Sequence, residues 1–97
     1  MDTKEKLFQL QSILEAKIEE IDNEIKKKKP SSELDIIKSN LDHVKTKDPN
    51  TYNIETFREQ IPVSAHFGEK ELMETKKYGL KILDELIRIE NELKKLI

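Results

Sequence analysis

Apolar residues near the start of the chain fall at Leu7, Leu10, Leu14, Ile18, Ile21 and Ile25, always three or four apart. That spacing gathers them on one face of an α-helix, whose turn takes about 3.6 residues. Asp2 or Thr3 can cap it, with Glu5 three residues after Asp2 as the capping-box partner. Lys26, Lys27, Lys28 and Lys29 precede Pro30. Cations complement the dipole at a helix C-terminus and proline cannot extend the hydrogen-bond ladder, so a long first helix over about 3–28 is expected.

Ser31 and Ser32 open a second periodic stretch carrying Leu34, Ile37, Leu41 and Val44, with Asp35 in its first turn. Asp48-Pro49-Asn50 is a turn signature, so this helix covers about 32–47. A two-turn helix follows over about 54–60, with Ile54, Phe57 and Ile61 as its apolar positions and Pro62 closing it. Ser64 caps the last helix, which starts near Ala65 or restarts after Gly68 and runs to the C-terminus, about 65–97. Its stripe is Ile82, Leu86, Ile89, Leu93 and Leu96, flanked by Leu83 and Ile97. No strand-like alternation opposes this reading, and the fold class is all-α.

Length constrains topology. At about 1.5 Å per residue the first and last helices span roughly 38 and 42 Å, the second about 24 Å. One short rod cannot cover two long ones. If the short helix continues in the same direction it adds about 10 Å and completes an up-down-up bundle with a broken middle layer. The alternative reverses it into a fourth antiparallel member, and the pattern alone does not choose.

Composition narrows function by exclusion. Ninety-seven residues make one small domain, 1–97, with a modest core and no room for a large internal cavity. Eighteen basic and 20 acidic residues give a net charge of -2, so no strong field draws nucleic acid or an anionic membrane. Only Arg58 and Arg88 are arginines, whereas phosphates and bases are read bidentately by that residue above all. The absence of cysteine excludes disulfides, thiolate nucleophiles and cysteine metal sites, and fits a reducing compartment. No apolar run reaches membrane-span length and no signal peptide is visible, which points to a cytoplasmic protein.

Catalytic material is sparse. Glycines occur only at 68 and 79, and no phosphate loop, nucleophile elbow or H-E-x-x-H is present. His66 and Glu69 are three apart and His43 adjoins Asp42, but two ligands do not make a metal site. Glutamates interleave with lysines at helical spacing, as in Glu90 with Lys94, the mark of a solvated, ion-paired surface. No Glu-x-x-His motif suggests a di-iron centre. The expectation is a non-enzyme with no cofactor and no metal.

Two features point to a partner. Met73, Leu80 and Ile87 repeat every seven residues, roughly 140° to 180° from the main stripe of the last helix. Either the segment 48–68 covers this row or another chain does. Gly79 beside Leu80 weakens the helix by about 1 kcal/mol relative to alanine, which implies a close approach or a bend. Between Asp48 and Gly68 lie Tyr52, Phe57, Phe67 and Arg58, residue types that dominate binding hot spots. Phe57 and Phe67 suit plugging the end of the bundle, whereas Tyr52 and Arg58 suit outward contact.

The expected function is therefore a protein-protein interaction module, an adaptor, inhibitor or immunity-type factor that occupies a partner's surface through Met73, Leu80 and Ile87, with Tyr52 and Arg58 secondary. A secretion-associated or scaffold-like helical dimer, pairing as in a coiled coil, is the alternative. Secreted WXG-type proteins share the length and helical character, but this chain has no tryptophan and hence no W-x-G turn. Nucleic-acid binding through Lys26 to Lys29 with Lys76, Lys77 and Lys81 ranks third.

Overall fold

The computed structural model describes residues 3–96. Four α-helices follow one another: α1 (Thr3–Lys26), α2 (Ser32–Lys45), α3 (Ile54–Val63) and α4 (Glu69–Lys94), with a 3-10 turn over Ser64–His66 before α4. No strand occurs among the described residues. Capping by Asp2 and packing of Ile97, both expected, lie outside the described residues.

Local chemistry sets most of the boundaries. Ser31 is extended and its Oγ accepts from the Leu34 N–H at 3.1 Å, satisfying one of the free donors at the start of α2. At the other end Thr46 leaves the helix and donates its hydroxyl to the Asp42 carbonyl at 2.7 Å. Asn53 caps α3 by accepting from the Thr56 N–H at 3.0 Å.

The end of α3 corrects the sequence reading. Pro62 does not close the helix but lies within its last turn, where few ladder bonds remain to be lost. Ser64 does not cap α4; its hydroxyl donates back to the Ile61 carbonyl at 2.6 Å and finishes α3. Gly68 precedes α4 with no side-chain cap. α4 therefore begins at Glu69, after the break, and Leu72, Thr75 and Gly79 extend its buried face towards the N-terminus beyond the stripe expected from Ile82 onward.

Residue partners establish the direction of each rod. Lys17 on α1 pairs with Glu90 on α4 at 3.1 Å, and Lys28 beyond α1 donates to the Leu96 carbonyl beyond α4 at 3.0 Å. Leu10 lies against Gly79. Later positions on α1 thus meet later positions on α4, so the two long helices run parallel. α2 and α3 descend alongside them: Val44 lines a cleft with Ile89, the Asn53 N–H donates to the Tyr78 hydroxyl at 3.1 Å, and Gln60 shares a pocket with Glu71 and Thr75. α3 therefore continues the direction of α2. The bundle is up-down-up with a broken middle layer, 46 Å along its major axis.

All the apolar positions expected on α1, α2 and α3 are buried, together with Ile82, Leu86, Ile89 and Leu93 of α4. Leu83, Leu96, Phe67 and Tyr78 pack partly buried against them. Phe57 reaches farther than an end plug. Its fully buried ring approaches Gly79, and a Cβ built there would sit 2.9 Å from Cε2 and 2.5 Å from Leu10 Cδ2. Glycine lets α1 and α3 close on α4 at that level.

Candidate functional site

The last helix carries the main candidate surface. Seven residues make nearly two full turns, so Met73, Leu80 and Ile87 stack along one line, roughly 21 Å from first to last. They remain 53%, 42% and 41% exposed. The segment 48–68 packs elsewhere and does not cover them. An apolar ridge on the outer face of α4 is left open while the opposite face of the same helix is buried.

Other apolar side chains are also exposed: Phe8, Ile13, Ile36 and Val63. They form no comparable line. Phe8 and Ile13 point about 140° apart around α1, and Ile36 and Val63 stand alone on their helices. Single exposed apolar residues are ordinary, whereas an aligned set is a candidate interaction surface.

Tyr52 and Arg58 both face solvent in part and both have neighbours within the chain. The Tyr52 ring meets Tyr78 edge to face at 4.9 Å between centroids. Arg58 donates from Nε to Glu15 at 2.7 Å and also pairs with Glu55, linking α3 to α1. Hydrogen bonding to Glu15 raises the guanidinium pKa despite partial burial. Neither residue shares the face of the α4 ridge, since Arg58 lies on the α1 side of α3.

Tyr78 is held beneath Tyr52 by the knot that joins α2 to α3. Asn53, buried and polar, donates through Nδ2 to the carbonyls of Asp48 and Thr51 at 3.0 and 2.9 Å while capping α3. Every polar group of its side chain is engaged, which makes the burial tolerable. The segment's turn residues thus build structure.

A second candidate was hidden from the sequence pattern. His43 does not work with its neighbour Asp42; its Nδ1 lies 2.7 Å from Asp48 Oδ2, on the rim of an open cleft of about 480 Å³. Asn40, Asn50, Thr51, Glu85 and Arg88 also line it. The Asn50 N–H, followed by His43, holds the Asp48 carboxyl below its ordinary pKa. Burial pushes Glu85 up, against the opposing charge of Arg88. The nearby hydroxyl, Thr51 Oγ1, turns to Asp48 at 3.4 Å and away from the imidazole relay a nucleophile requires. The five-residue offset from His43 to Asp48 crosses the end of α2, where helical spacing no longer applies, so periodicity did not reveal the pair.

His66 and Glu69 are separated by the extended Phe67 and Gly68, and thus do not share a helical turn. No group of three His, Cys, Asp or Glu side chains among the described residues converges to hold a metal ion. In the lysine block, Lys27 pairs with Glu24 at 3.3 Å and Lys28 binds the Leu96 carbonyl. No described helix is long and apolar enough to cross a membrane.

No protein-family model, curated protein or solved structure matches this chain.

Proposed function

We propose that this chain is a non-enzymatic protein-protein interaction module, an adaptor, inhibitor or immunity-type factor that acts by occupying a partner's surface with the outer face of α4. The observation that carries the reading is the open line of Met73, Leu80 and Ile87 on a helix already buried along its other side. A bundle of this size gains nothing in its own stability from an apolar ridge kept in water. The same ridge gains hydrophobic free energy when a second protein covers it. Tyr52, on the Tyr78 ring, and Arg58, on Glu15, lie off that face and form a secondary patch, each already oriented by its intramolecular neighbour.

The test compares wild type with Leu80→Asp, which places a charge in the middle of the ridge. Because Leu80 is exposed, unfolding free energy changes by no more than about 0.5 kcal/mol. Partner capture in the native host is expected to disappear. Unchanged capture by a stably folded Leu80→Asp chain refutes the assignment of the ridge.

A further inference from the structure

We infer that the occupant of the α4 ridge is an acidic amphipathic helix of a partner protein, an inference that rests on the ridge being the partner surface. Two observations combine. The ridge is a single file of apolar side chains at seven-residue pitch, the pattern one helix presents to another. Around it stand Lys70, Lys76, Lys77, Lys81 and Arg88, against Glu69, Glu74 and Asp84 on the same face, five cations to three anions in a chain of net charge -2.

Among the described residues none of those five cations makes a hydrogen bond or close ion pair, as is also true of Lys6, Lys26, Lys29 and Lys38, whereas Lys17, Lys45, Lys47 and Arg58 are engaged by carboxylates. Arg88 also edges the His43–Asp48 cleft, where its charge is felt by Glu85 but no carboxylate oxygen reaches it. The cations beside the apolar ridge are thus not neutralised by carboxylates of the chain itself. Carboxylates flanking the apolar stripe of an incoming helix complement that arrangement.

Other occupants fit less well. A second copy would bring the same cation excess against itself. A lipid surface favours a broad apolar face with aromatic residues, and this ridge is one residue wide with no aromatic in it. Nucleic acid would meet the lysines but leave the apolar ridge without a role.

The experiment uses the full chain and synthetic helical peptides of about 24 residues, long enough to span the ridge. One carries Leu and Ile at heptad positions with Glu at the flanks; a control replaces every Glu by Lys. Binding is read by fluorescence anisotropy, with duplex DNA and anionic phosphatidylglycerol vesicles as parallel arms. The acidic peptide is expected to bind at least tenfold more tightly than the basic one and to weaken as salt rises, because its flanking pairs are solvent-exposed. Binding is lost in Leu80→Asp. In Lys77→Glu/Lys81→Glu the basic peptide binds more tightly than it does to wild type, a gain that misfolding cannot produce. No binding of the acidic peptide, equal binding of both peptides, or tighter retention on DNA or vesicles overturns the inference. If the acidic peptide fails while Leu80→Asp still abolishes partner capture in the host, the acidic helix is withdrawn and the ridge stands.

Discussion

Gly79→Ala separates the helix's own preference from the packing around it. Inside an exposed helix this change stabilises by about 1 kcal/mol, since glycine carries the larger backbone entropy. Here the added methyl would lie 2.5 Å from Leu10 Cδ2 and 2.9 and 3.0 Å from Phe57 Cε2 and Cζ. Carbon atoms in contact prefer about 3.5 to 4.0 Å, so both neighbours must retreat. The Leu10 methyl can swing, but the rigid Phe57 ring is fully buried and can retreat only by moving its neighbours. Overpacking of that kind costs about 1–3 kcal/mol. Offset by the helix propensity, the net effect is destabilisation of about 1 kcal/mol, a fall in Tm of roughly 5 °C for a domain of this size. Urea unfolding followed by far-UV circular dichroism measures it, with an unchanged m-value showing that the same surface is exposed. In a Phe57→Leu background the ring edge is gone, and the same substitution is expected to cost less. A stabilised Gly79→Ala chain, or an equal penalty in both backgrounds, would refute the close approach of α1 and α3 at this position.

Three further outcomes follow from named contacts. Asn53→Ala removes the α3 cap and the donor to the Thr51 carbonyl, while the Asp48 carbonyl keeps the Thr51 N–H, costing about 2 kcal/mol in the same unfolding assay. Arg58→Ala breaks a partly exposed link to Glu15 and Glu55; the loss is about 0.5 kcal/mol at low salt and shrinks towards zero in concentrated salt. Lys17 holds the Glu90 carboxyl below its ordinary pKa by hydrogen bonding and charge. Because the folded value lies below the unfolded one, this contribution is present above the ordinary carboxylate range and vanishes as pH falls through the depressed value. Glu90→Gln should therefore flatten the acid limb of stability against pH, and an unchanged acid limb would contradict the pairing.

Much of the bundle was legible in spacing alone because burial and periodicity report the same physical fact. Leu7 to Ile25, Leu34 to Val44 and Ile82 to Leu93 lie in the core as their three-and-four rhythm implies. Boundaries were less legible where competing local interactions decide them. Ser64 has the chemistry of an N-cap, yet the Ile61 carbonyl takes its hydroxyl, and Pro62 is tolerated within α3 because so little helix follows it. The direction of α3 depended on contacts between distant residues, such as Asn53 with Tyr78, that no local pattern encodes.

Surfaces divided in the same way. The row of Met73, Leu80 and Ile87 was readable as a second period on α4, but only the placement of 48–68 showed that the chain leaves it open. The partners of Tyr52 and Arg58 lie 26 and 43 residues away in sequence, at Tyr78 and Glu15. His43 and Asp48 meet across the end of a helix. Such pairs are consequences of tertiary packing, beyond the reach of helical spacing.

Site-specific photo-crosslinking asks whether another protein sits on the α4 ridge. A photoreactive phenylalanine analogue placed at position 80 lies in the middle of the ridge, and one at exposed Lys38 on α2 samples an unrelated face. On irradiation in the native host, position 80 is expected to yield one discrete adduct with another protein and position 38 none. Adducts from both positions alike, or none from position 80 in a folded and expressed chain, would contradict the assignment of α4 as the partner surface.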